Sequence, residues 1–375
     1  MKAILTLLLA ASSVSAAPRA RDLGIPSGLR PSGPLDAITD VPGVRVGHVT
    51  LVDASTGPHA LRTGVTAVVP ASGDLWNGKL YAGSFILNGN GEAAGLMWVQ
   101  ESGILETPVA LTNTLSVGAV QEGLVRHMLA EHPKVGISDD TLTPVVFECD
   151  DSSLSDIRAL AVRPEHALEA LGAAKGGPVA EGPVGAGTGM TSYEFKGGIG
   201  TASRVLSKEE GGWTVGVLVN ANHGARETLR VGGAEVGREL TDLKPRYKQD
   251  GSIVVLIATD APLESRQLSR IAKRAMLGVA RTGAVAYHGS GDVALAWSTA
   301  NRIPHYPKEG VLSVKVLSDF HLDPLFEAAV EAAEEAVVNV LLAGKTTVGR
   351  EGNTVHALPV DRLMDSLKRH RAVKE

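Results

Sequence analysis

A single cysteine, Cys149, in 375 residues excludes an internal disulfide, so stability has to come from the core or from association of chains. Aromatic residues are only 4% of the chain, too few for an aromatic-rich binding surface. The formal charge of −5 is spread without a basic stripe or a polyanionic tail, which argues against nucleic acid as a partner. Beyond the first residues no apolar run is long enough to span a bilayer. The eleven histidines fall in no H-E-x-x-H or C-x-x-C setting, so no metal is expected. No G-x-S-x-G elbow is present either, and an α/β-hydrolase serine is therefore not signposted. Fixed-period repeats and low-complexity linkers are missing as well, which leaves one domain as the simplest organisation.

What is present is a globular composition: 44% hydrophobic residues, sufficient for a sizeable core, and 43 glycines, which imply tight turns and close backbone approaches. The N-terminus carries Lys2, a short apolar stretch from Ala3 to Ala11, and the small-x-small signal Val14-Ser15-Ala16. This is the pattern of a secretory leader over residues 1–16, removed after Ala16, and it predicts an exported protein, periplasmic or secreted, with residues 17–375 as its mature part.

Within that part, Val65–Val69, Val215–Val219 and Ile253–Ala258 read as strands buried on both faces. The spacing of Leu268, Ile271, Ala272, Ala275 and Val279 predicts an amphipathic helix. A second helix is expected from Asp323-Pro324, with Asp as cap, to Gly344. Strands packed under helices follow as the architecture.

Several polar segments interrupt these elements. Gly185-Ala186-Gly187-Thr188-Gly189 leads into β-like sequence rather than a helix, so it reads as a tight turn with close backbone approach, not a dinucleotide-binding loop. Asn88-Gly89-Asn90-Gly91-Glu92 and Leu111-Thr112-Asn113-Thr114 are loops that can line a pocket. Glu148 follows the apolar Pro144–Phe147, either as a surface acid or as a partly buried carboxylate awaiting a cation. Ser290 and Asp292 lie two apart, hence on one side of an extended chain. Asp250-Gly251 then Ser252 can be a plain turn before a strand, or a place where the chain is cut.

In one order along nearly the whole mature chain, these segments resemble the L-aminopeptidase D-esterase and beta-peptidyl aminopeptidase family, self-processing serine aminopeptidases related to ornithine acetyltransferases. The likeness also runs through Ala37–Val44 with Val46-Gly47-His48, Thr63–Thr66 and Phe195-Lys196-Gly197-Gly198-Ile199-Gly200-Thr201. It implies an α/β (α+β) fold, a four-layer αββα sandwich like that of N-terminal-nucleophile hydrolases but differently connected. It further implies self-cleavage between Gly251 and Ser252, giving chains 17–251 and 252–375. Ser252 would then be the nucleophile and its freed amine the base; Asn222, rather than Asn220, would donate to the oxyanion. Ser290 and Asp292 match the hydroxyl and acid that orient the nucleophile, and Glu148 matches the carboxylate that holds the substrate's ammonium group. No cofactor is implied. The expected partner is a small peptide, amide or ester with a free amino group, of L-α, D-α or β configuration, and a homo-oligomer of two-chain units is expected by the same resemblance.

Two departures stand out. Where the family commonly shows Glu-Thr-x-Asp-Gly, this chain has Glu148-Cys149-Asp150-Asp151-Ser152, and Asp292 stands where some members carry Glu. Two rivals remain at this level: an acyltransferase of the ornithine acetyltransferase type, and a binding protein without catalysis on the same scaffold.

Overall fold

A computed structural model describes residues 17–247 and 251–373. The expected leader and Asp250 lie outside the described residues. In chain order, the first half contributes strands β1 (Arg45–Val52), β2 (Arg62–Val69), β3 (Gly78–Gly89), β4 (Ala93–Ala94), β5 (Ile104–Leu105), β6 (Val109–Thr112) and β7 (Val145–Glu148). Helices α1 (Leu96–Ser102), α2 (Val117–Glu131) and α3 (Pro164–Gly172) accompany them. A short hairpin, β8 (Thr191–Ser192) and β9 (Phe195–Lys196), precedes β10 (Gly198–Val205), β11 (Thr214–Asn222), β12 (Ser252–Thr259), β13 (Gly291–Ser298) and β14 (Ile303–Pro304). The helices of this half are α4 (Ser265–Arg281), α5 (Asp323–Ala343) and α6 (Val360–Arg369).

One sheet has the order β1-β2-β6-β7-β4; the other has β10-β11-β12-β13-β3-β14, with β5 also paired to β3. Each contains one parallel pair, β6 with β7 and β12 with β13, and in each the connection runs through a helix, α2 and α4 respectively. Alternation along the strands separates three apolar layers. Val254, Leu256, Leu218, Leu295 and Trp297 of the second sheet meet Val68, Leu111, Val145 and Phe147 of the first. Val255, Ile257, Val217 and Ala296 face α4 and α5 instead. Val65, Ala67 and Val146 face α2 and α3. The result is the four-layer αββα sandwich. A Leu→Ala truncation in the layer between the sheets, at Leu256 for example, would cost about 2–5 kcal/mol, because close-packed strands cannot collapse into the void.

The three expected strands and two long helices are all present. One boundary differs: Asp323 is the first residue of α5 and Leu322 takes the cap position, with Pro324 in the first turn. The glycine-rich segment forms a single tight turn at Gly185–Gly187, pinned to the first sheet by Gly185 N–H to Thr50 Oγ1 (2.8 Å) and Ala186 N–H to Thr66 Oγ1 (3.1 Å). Among the described residues no helix is long and apolar enough to cross a membrane.

Candidate active site

Ser252 opens β12 and is the register partner of Asn222, which ends β11. Residues directly opposite in an antiparallel pair project to one face, with Cβ atoms about 4.5–5.5 Å apart. Both positions share the face of Val254 and Leu218, so both side chains belong to the space between the sheets, at one end of the sandwich. Ser252 is buried, and its Oγ accepts the Gly291 N–H at 3.0 Å. The Asn222 amide is held from both ends: Oδ1 accepts the Thr191 N–H at 2.7 Å, and Nδ2 donates to the Asp150 carbonyl at 2.8 Å. That leaves its second N–H for another acceptor. Asn220 is fully buried one pleat further in.

Gly251 is pressed against the same strand end. A Cβ there would fall 2.0 Å from the Asn222 carbonyl oxygen and 2.6 Å from the His223 Cα, so only glycine fits before Ser252.

On the neighbouring strand, Ser290 Oγ lies 2.5 Å from Asp292 Oδ2 and 2.8 Å from the Tyr287 carbonyl, and it also accepts from Asn88 Nδ2 at 3.0 Å. Ile253 and Asp292 are register partners across the parallel β12–β13 pair. Burial pushes the Asp292 carboxyl above the ordinary carboxylate range, while hydrogen bonds from Ser290 and the Ile253 N–H restrain the rise. The pairing of β13 with β3 shifts register between Asp292 and Val293, an irregularity of the kind that re-aims side chains beside sites. It brings Asn88 opposite Asp292.

Glu148 ends β7 of the other sheet and is buried, not a surface acid. It accepts the Glu92 N–H at 3.0 Å and a hydrogen bond from Thr114 Oγ1. Burial raises its pKa, and the nearby carboxylates Asp150 and Glu92 push it further up. A carboxylate in acidic surroundings is poised for a cation. The turn at Gly91 spans the gap to Ser252: a Cβ on Gly91 would sit 2.7 Å from Glu148 Oε1 and 3.6 Å from the Cα of Gly291, the residue whose N–H meets Ser252.

Thus Ser252, Asn222, Ser290, Asp292 and Glu148 converge from both sheets at one end. Their helpers, Asn88, Glu92, Thr114, Thr191 and the Asp150 carbonyl, were not assigned roles by sequence, although three of them lie in the two polar loops noted as pocket-lining. An apolar pocket of roughly 180 Å³ opens beside Gly251, with Met276, Val279 and Ala280 on one wall and Gly251, Ser290 and Asp292 on another. His223 also lines it, but burial depresses its pKa to about 3, so it stays neutral and is no candidate for an imidazolium. Among the described residues, no three His, Cys, Asp or Glu side chains are grouped to hold a metal ion.

Comparison with known proteins decides the family, since residues 36–355 match peptidase family S58. The chain belongs to that family. It is 44% identical over 384 residues to the beta-peptidyl aminopeptidase BapA of Sphingosinicella microcystinivorans, covering 97% of this chain and 96% of that protein. Among solved structures it is similar to a Burkholderia sp. beta-aminopeptidase, with a TM-score of 0.89 and 48% identity over 94% of this chain and 99% of that one. It is equally close in shape to the L-aminopeptidase D-Ala-esterase/amidase of Ochrobactrum anthropi, at TM-score 0.89 and 40% identity, covering 95% and 100% of the two chains. That protein is described as a prototype for the serine aminopeptidases and a variant of the Ntn hydrolase fold. This S58 chain is accordingly a hydrolase, a serine aminopeptidase of the N-terminal-nucleophile type.

Proposed function

We propose that this S58 peptidase is exported, cuts itself between Gly251 and Ser252, and then releases the N-terminal residue of small peptides, amides or esters through an aminoacyl-enzyme on Ser252. The observation that carries the reading is the placement of Ser252 at the very start of a buried strand, opposite Asn222 and across Gly91 from Glu148.

In the uncut chain, Ser252 Oγ attacks the Gly251 carbonyl carbon, the peptide C–N bond breaks, and the proton passes to the departing Ser252 nitrogen. That leaves the Ser252 α-amine free, and water then hydrolyses the resulting ester, giving a carboxylate at Gly251 and restoring the Ser252 hydroxyl. An α-amine has a reference pKa of about 7.7–8.0, so it accepts a proton near neutrality and serves as base for the hydroxyl on its own residue. In turnover, Ser252 Oγ attacks the substrate carbonyl while the free N–H of Asn222 meets the developing oxyanion, a contribution typically worth about 2.7–4 kcal/mol. The amine or alcohol leaves with the proton carried by the α-amine, and water hydrolyses the aminoacyl ester to restore the hydroxyl. Ser290 and Asp292 orient the amine and hydroxyl, and Glu148 pairs with the substrate's ammonium, restricting cleavage to the first residue. Two-chain units assemble as a homo-oligomer in this reading.

The test is intact-mass analysis of the purified protein, followed by a panel of p-nitroanilides bearing L-α, D-α and β residues. A downstream chain of 124 residues beginning Ser-Ile-Val-Val is expected, 375 minus 251. A fully active protein with no cut chain would overturn the mechanism, and the panel assigns the residue class.

A further inference from the structure

Behind Asn222 lies a buried pair of titratable residues with no part in the reaction as described. Lys196, the last residue of β9, is wholly buried, and its Nζ donates to the carbonyls of Met190 (2.5 Å), Gly197 (2.9 Å) and Gly187 (3.3 Å). Asp151 is equally buried and is the carboxylate whose charge acts on Lys196. Thr63 and Asn113 flank its carboxyl, yet neither oxygen receives a well-directed hydrogen bond. Burial drives Asp151 up to about 7 and Lys196 down to about 7. Burying two such groups costs stability unless they are fully paired and hydrogen-bonded, and the Asp151 oxygens are not, so their retention calls for a role beyond stability.

Each partner is linked to a group that orients Asn222, Asp151 as its neighbour in the chain and Lys196 through the carbonyl that it holds. Asp151 follows Asp150, whose carbonyl accepts from Asn222 Nδ2. Thr191, whose N–H donates to Asn222 Oδ1, follows Met190, whose carbonyl is held by Lys196. The Asp151 Cβ also packs against the Gly189 backbone, tying the two stretches together. We propose that Asp151 and Lys196 are positioning residues for the reaction: together they fix the Asp150 carbonyl and the Thr191 amide, and so hold the Asn222 side chain in the orientation that meets the oxyanion.

This inference rests on the reading of Ser252 as nucleophile and Asn222 as oxyanion donor. Asp151→Asn keeps the volume and removes the charge; Lys196→Met keeps the length and removes the donor. With kcat expressed per cut chain, as read from intact mass, each variant is expected to lose about ten-fold or more in kcat. KM should stay within about two-fold, because an interaction made only in the transition state has been weakened. In an Asn222→Ala background the same Asp151→Asn change should cost less than about two-fold, since the group it positions is gone. An effect confined to KM, an unchanged kcat, or an equal loss in both backgrounds, as a general loosening of the core would give, overturns the proposal. If Lys196→Met fails to fold because three carbonyls lose their donor, Asp151→Asn decides alone. An uncut but active parent protein would remove the basis of both readings, whereas a cut parent with a kcat-silent Asp151→Asn sinks this one only.

Discussion

Asn222 and Ser252 are register partners in the antiparallel β11–β12 ladder, so their geometry is set by backbone pairing rather than by long side chains. A slip of one residue in either strand would send its side chain to the opposite face, toward α4 and α5, and break the juxtaposition. His223, just past the end of β11, and Gly251, just before β12, are packed too closely for a Cβ on Gly251. The strand end thus holds the Ser252 hydroxyl, the Asn222 amide and the Gly251 backbone together, the three groups on which the proposed self-cleavage depends.

The first consequence concerns the hydroxyl. Ser252→Ala should leave a single uncut chain without peptidase activity, because one oxygen serves both self-cleavage and turnover. Ser252→Thr keeps the nucleophile and should retain some self-cleavage, but its added methyl enters a buried strand start and should slow turnover. Intact mass and a p-nitroanilide assay read both variants. Peptidase activity in the alanine variant would move the nucleophile elsewhere.

Gly251→Ala tests the packing of the scissile residue. Its Cβ would lie 2.0 Å from the Asn222 carbonyl oxygen, so the segment has to shift away from the β11 end. Displacement of the scissile carbonyl by about 1 Å is enough to cost roughly a hundred-fold in rate. The precursor should therefore accumulate, visible as an uncut band over a time course. Cleavage at the parent rate would show that the carbonyl does not need this close seat.

Acid should destabilise the fold through His223. Its folded pKa is depressed to about 3 from 6.5, because it is buried without a hydrogen-bond partner for either ring nitrogen. Between those values the unfolded chain binds a proton that the folded chain refuses, so its contribution is intact above about pH 6.5 and is lost as pH falls. The loss is about 1.4 kcal/mol per pH unit. Asp151 and Glu181, both raised to about 7, act with the opposite sign as pH rises from about 4 to 7. The measurement is accordingly a difference: urea midpoints of the parent and of His223→Gln at pH 7 and pH 5, with a shallower acid loss expected in the variant. Equal slopes would mean that His223 is protonated in the fold.

The layers were legible because their residues are unambiguous. Val215–Val219 and Ile253–Ala258 are continuous apolar runs, and they form adjacent central strands buried on both faces. The Leu268–Val279 pattern became the inward face of α4. By contrast, nothing in Asp150-Asp151-Ser152 or Phe195-Lys196-Gly197 marks Asp151 and Lys196 as buried, and Lys196 is buried only because β9 folds under the Gly185–Met190 turn. Thr114 and Glu92 were likewise invisible as partners of Glu148, since their contacts join loops far apart in the chain. Sequence pattern reports which face of an element is apolar; it carries little about which loop carbonyl or hydroxyl a buried polar group will find.

Glu148 supplies the last test. Its carboxylate ends a buried strand and takes one backbone N–H and one hydroxyl, and burial, with a smaller push from the carboxylates of Asp150 and Glu92, raises its pKa above the ordinary value of 4.5. A substrate ammonium would relieve that strain only while Glu148 is ionised. As pH falls through the raised pKa, the acid is protonated, the attraction disappears, and KM for free-amino substrates should climb at a higher pH than an exposed glutamate would produce. Glu148→Gln keeps size and the acceptor oxygen but has no charge to lose, so its KM should be raised at all pH and flat across that range. The loss should be about ten-fold to a few hundred-fold, the range for breaking one side of a desolvated charged contact. N-acetylation of the substrate removes the other side, and the two losses should not add. Self-cleavage, which involves no free amine, should proceed in Glu148→Gln. A Gln variant that turns over free-amino substrates as well as the parent, while acetylated substrates remain inert, would assign recognition to another acid, with Asp150 the first to test.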